Sequence, residues 1–130
     1  MRYRDDSNGV IYFIHSVGAK AVKIGFCYSE ARLKTRLGQL QVSSPCPLEL
    51  ICYIPGTREG EKFFHKFLAD YNLSGEWFSL DRSVRDTIWR VCKETGQMDQ
   101  YNAFESSMRG LPSELGYSQF AVDKATILML

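Results

Sequence analysis

Within Thr57–Phe78, reading TREGEKFFHKFLADYNLSGEWF, Glu61 and His65 stand four residues apart. On a helix that spacing sets them one turn apart on the same side. A carboxylate binds hard divalent cations, and an imidazole titrating near neutrality moves protons readily. Arg58, Lys62 and Lys66 add positive charge of the kind that receives a phosphate. These residue types fit a metal ion and a phosphate held side by side. A plainer account fits them too: a solvated glutamate and a partly buried, hydrogen-bonded histidine at the rim of a helix.

The helix that must position them starts after the break at Pro55-Gly56, with Thr57 as its cap. At about 100° per residue, Phe63, Phe64, Phe67, Leu68 and Tyr71 share one face, the expected buried side. Arg58, Lys62, Lys66 and Ala69 lie opposite, and Glu61 and His65 fall on the border. Upstream, Gly9–Ile14 is apolar on both faces, as in a strand covered on both sides. A short Gly18 turn leads to Ala21–Phe26, and the connection predicts an antiparallel hairpin. Lys23 interrupts that second strand between Val22 and Ile24 and also reads as an edge-strand lysine. Ser29 is placed to cap a helix reaching about Gln41, with Leu33, Leu37 and Leu40 inward and Arg32 and Arg36 on one flank. Leu48–Ile54 alternates as a third strand, and Asp81 opens a helix ended by Gly96.

The 130 residues carry 45% hydrophobic residues and a net charge of +1, which suits one domain without a global field for nucleic acid. Cys27, Cys46, Cys52 and Cys92 lack metal-ligand spacing and read as reduced, mostly buried thiols. MRYRDDSNG leads directly into a strand, and no apolar run approaches the ~20 residues of a membrane span. A soluble, cytoplasmic protein is expected. The expected fold is α+β: a small three-stranded antiparallel sheet flanked by helices over residues 1–96. A C-terminal helical tail over 97–130 follows. The tail ends in Ile127-Leu128-Met129-Leu130, which must dock on its own core or across a homodimer. Leu115-Gly116-Tyr117-Ser118 with Val122 has some marks of a helix-turn-helix, although Pro112 breaks them.

Assembled in order, these pieces resemble a known family. Gly9-Val10-Ile11-Tyr12 and Val22-Lys23-Ile24-Gly25 resemble the paired strand signature of GIY-YIG nucleases. Arg36-Leu37-x-x-Leu40-Gln41 with Ser44-Pro45, the Glu61-x-x-x-His65 helix and Gly75-Glu76-Trp77-Phe78 follow in family order. The set is similar to the phage and bacterial branch with Lys-Ile-Gly in place of Tyr-Ile-Gly, the phage T5 open-reading-frame type, over about residues 9–80. The resemblance implies metal-dependent hydrolysis of phosphodiester bonds in DNA. It makes Tyr12 the first-motif tyrosine and puts Lys23 where the second tyrosine stands. Arg36 becomes the helix arginine, Glu61 the carboxylate for Mg²⁺ or Mn²⁺, and His65 the active-site histidine. Arg32 rivals Arg36, and Asn72 is the only candidate for the superfamily's late asparagine. Either Tyr12, with cations favouring its phenolate, or His65 could deprotonate water. The competing expectation is a silent DNA- or protein-binding module on the same fold.

Overall fold

The computed structural model describes residues 7–110, and the C-terminal segment with its apolar end and helix-turn-helix marks lies outside them. Strand β1 (Val10–Ser16) and strand β2 (Ala21–Cys27) form the expected antiparallel hairpin, with Tyr12 opposite Gly25 and Ile14 opposite Lys23. Gly18 and Lys20, both at positive φ, turn the chain between them. Helix α1 (Leu33–Val42), strand β3 (Leu48–Pro55) and helix α2 (Arg58–Phe67) follow. Strands β4 (Asn72–Ser74) and β5 (Trp77–Ser79) then lead to helices α3 (Arg82–Glu94) and α4 (Met98–Gly110).

The sheet has five strands rather than three, in the order β3-β1-β2-β5-β4, antiparallel throughout. The added pair, β4 and β5, has three residues in each strand, too few for an alternating pattern to declare itself. β1 is buried along its whole length because both sheet faces are covered. Ile11, Phe13, Val22, Ile24 and Phe26 enter a large core with Leu68, Phe78, Val84, Ile88 and Cys92, which Tyr101 and Phe104 of α4 join. Val10, Tyr12, Ile14 and Cys27 face the other way, onto Leu33, Leu37 and Leu40 of α1. All four cysteines are free.

Two helices depart from expectation. Ser29 makes no side-chain cap bond; a 3-10 turn over Glu30–Arg32 intervenes and α1 begins only at Leu33. On α2, Thr57 does cap the helix, its hydroxyl accepting from the Gly60 N–H at 3.2 Å. The expected face is buried only in part, however: Leu68 enters the core and Phe64 and Tyr71 pack against it, while Phe63 and Phe67 do not. Glu61 is 6% exposed, whereas Phe63 and Phe67 are 63% and 64% exposed. Gly60 accounts for this, because a Cβ there would stand only 3.0 Å from Ile11 Cδ1. The helix presses its glycine on the sheet, so Glu61, Phe64, His65 and Leu68 turn inward. Phe63 and Phe67 stack on one another, 6.0 Å between centroids and 9° between planes.

Candidate active site

β5 pairs with β2 only at Ala21, Val22 and Lys23. Beyond Lys23 that edge of β2 has no strand beside it among the described residues, and side chains gather there instead. Tyr12 comes from the neighbouring strand and must cross β2 to arrive. Gly25 permits the crossing, since a Cβ on it would overlap Cζ and Oη of Tyr12. This is the physical need for glycine after Lys23-Ile24.

Arg36 reaches the same point from α1. Its Nη1 donates to the Tyr12 hydroxyl at 3.4 Å, and its side chain is half-buried while Arg32 is exposed. The geometry therefore separates the two rival arginines. Gln41 fixes the end of α1: its Nε2 donates to the Cys46 carbonyl at 3.0 Å and its Oε1 accepts from Leu48 N–H at 2.8 Å.

α2 brings Glu61 and His65 to the β2 edge. His65 Nε2 lies 2.8 Å from the Ile24 carbonyl oxygen. A carbonyl only accepts, so Nε2 carries hydrogen and Nδ1 is the ring's remaining acceptor when the imidazole is neutral. Glu61 Oε2 stands 3.8 Å from the same Nε2. Lys23 Nζ pairs at 3.1 Å with Oε1 of Glu76, a residue whose motif was legible but whose place in the site was not. Glu76 is also within side-chain hydrogen-bonding reach of Glu61. Its signal in the sequence was the glycine before it, Gly75 at positive φ, which makes the tight turn that projects it. Asn72 stays outside the site; its Nδ2 donates to the carbonyls of Gly75 at 2.8 Å and Trp77 at 3.2 Å.

Burial, and then the neighbouring Glu76 charge, push the Glu61 carboxyl above the usual carboxylate range, against the pull of His65 and Arg58. Burial and Glu76 likewise raise the Tyr12 phenol, outweighing the hydrogen bond and charge of Arg36. The cations around Tyr12 thus do not bring out its phenolate here. Arg58 lies over the rings of Phe26 and Tyr28, 5.3 Å from each centroid, and donates from Nε to the Tyr28 hydroxyl at 3.1 Å.

Tyr12, Lys23, Arg36, Glu61 and His65 are thus gathered from two strands and two helices, and all lie at one sheet edge. Among the described residues, no group of three or more His, Cys, Asp and Glu side chains is arranged to hold a metal ion. No helix among them is long and apolar enough to cross a membrane. The chain matches no curated protein and no solved structure. Its residues 9–107 match the family model of the T5orf172 domain, a span that begins at the first strand signature and takes in every candidate site residue. The chain belongs to the T5orf172 domain family.

Proposed function

We propose that this chain is a divalent-metal-dependent DNA endonuclease of the GIY-YIG type, with Lys-Ile-Gly in the second motif. The observation that carries the reading is the meeting of Tyr12, Lys23, Arg36, Glu61 and His65 at the open edge of β2. Burying a glutamate without a full complement of partners costs stability, and a module that only binds has no use for that cost. The alternative, a silent binding module, leaves Glu61 without a reason.

The donor set fits Mg²⁺ or Mn²⁺. These hard cations take one or two carboxylates and fill their remaining positions with water and phosphate oxygens, and Glu61, buried at the β2 edge, offers such a carboxylate. When bound, such a cation polarises a phosphoryl oxygen and lowers the pKa of a bound water. Arg36 supplies a planar fork for phosphate oxygens and stabilises the charge that grows on them. Lys23 adds a compact positive charge beside it. Between the two candidate bases the hydrogen-bond geometry favours His65. Its Nε2–H is committed to Ile24, which fixes the ring and leaves Nδ1 to take a proton. Tyr12, its phenol pKa raised by burial, accepts from Arg36 and is assigned an orienting role.

The test is direct. Supercoiled plasmid incubated with the protein and Mg²⁺ should be cut, and EDTA should stop it. Glu61→Gln should show no cleavage above the EDTA control, and Arg36→Ala should lose about 10²-fold or more, with Arg32→Ala close to wild type. Wild-type turnover by Glu61→Gln would sink the assignment.

A further inference from the structure

Glu76 meets the site through both its side chain and its backbone. Its Oε1 holds Lys23 Nζ at 3.1 Å, and its carboxyl is within reach of Glu61. Its backbone is fixed as well as its side chain. The Ile24 N–H donates to the Glu76 carbonyl at 2.9 Å, while the carbonyl of the same Ile24 receives His65. One residue of β2 therefore sets the positions of both Glu76 and His65 through main-chain bonds. The turn carrying Glu76 is closed from behind by Asn72, whose amide spans the carbonyls of Gly75 and Trp77.

Lys23 needs such a hold. A lysine is a point charge on four rotatable carbons, and nothing in its own chain fixes where the ammonium rests. Trp77 provides a wall, with Nζ 5.6 Å from the ring centroid, but a wall of that kind sets distance and not direction. The ion pair supplies direction. It is not there for stability, because the Glu76 side chain is 39% exposed and pairs so open contribute little to folding.

We infer that Glu76 is a positioning residue, clamped by the Asn72 turn, that fixes the direction of the Lys23 ammonium at the β2 edge where the candidate site residues gather. The inference rests on the nuclease reading and adds a member to its machinery that acts through Lys23. Glu76→Gln keeps the shape of the side chain and removes the charge that grips Lys23. Glu76→Asp keeps the charge and shortens the reach.

The experiment is a double-mutant cycle in single-turnover cleavage of a labelled duplex at saturating Mg²⁺, with wild type, Glu76→Gln, Lys23→Met and the pair. Each single variant should lose about 30-fold in rate, and the pair should lose no more than about threefold beyond the worse single, because residues acting as a unit are non-additive. DNA affinity in EDTA, measured for each variant, should fall by far less than the cleavage rate, separating placement of Lys23 from a general loss of binding. Glu76→Asp, the safeguard should the glutamine variant fold poorly, should lose about tenfold. The inference is overturned if either Glu76 variant cleaves like wild type, or if the losses from Glu76→Gln and Lys23→Met multiply. In those cases wild-type cleavage still stands and the nuclease reading survives. If wild type itself gives no Mg²⁺-dependent cleavage, the nuclease reading falls and takes this assignment with it.

Discussion

Helices α2 and α3 pack on the same side of the sheet and follow opposite rules. α3 turns Val84, Ile88 and Cys92 into the core and Arg82, Arg90 and Lys93 to solvent, as its sequence pattern dictates. α2 buries Glu61 and leaves Phe63 and Phe67 largely in water. A helix that obeys its pattern contributes stability through the face it hides. A helix that breaks its pattern gives up part of that stability, and such breaks concentrate where a site has to be built. The contrast therefore assigns holding the fold to α3 and presenting the candidate site to α2.

The sharpest way to break this division is Ile88→Ala on α3. Ile88 is fully buried, so its truncation should cost about 2–5 kcal/mol, read from urea unfolding. A cost below about 1 kcal/mol would mean that α3 is not the anchor.

On α2 the expected sign reverses. The Glu61 pKa is raised in the fold, so its neutral form is favoured there and its ionised form opposes folding. Relative to glutamine, the native residue should be destabilising at pH 7–8 in EDTA, and Glu61→Gln should melt about 2–4 °C higher. The gap should close as pH falls through the folded pKa of Glu61, because protonation removes the same charge as the substitution. Adding Mg²⁺ should raise the melting temperature of wild type and leave Glu61→Gln where it was. A glutamine variant less stable than wild type in EDTA would show that the carboxylate supports the fold.

Smallest of all should be Phe67→Gln. Loss of an aromatic that is 64% exposed should change stability by about 0.5 kcal/mol or less. A loss several times larger would mean that the stacked pair belongs to the core after all.

The same contrast explains what the sequence made legible. β1, β2 and α3 could be read because period and burial agree in them: Val10–Ile14 is apolar on both sides, and Val84, Ile88 and Cys92 recur at helical spacing. The candidate site residues could be read because their types are costly to hide and follow in family order. The inward turn of Glu61 and the exposure of Phe63 and Phe67 on α2 could not. Both are set by how closely Gly60 approaches Ile11, a contact between segments far apart in the chain that no local periodicity records. The place of Glu76 was hidden for a similar reason. It depends on β4 and β5 adding to the β2 edge, and strands of three residues do not announce their partner.

The hydrogen bond from His65 to the Ile24 carbonyl has a consequence outside chemistry. A sheet edge with free carbonyls and N–H groups invites another chain to pair with it, and soluble proteins block such edges by charge, cover or kinks. Here the blocking group at Ile24 is the imidazole itself, and at the opposite edge Gln97 does the same for β3, bonding both the N–H and the carbonyl of Tyr53. Replacing His65 by alanine would therefore uncover the Ile24 carbonyl while its N–H stays bonded to the Glu76 carbonyl.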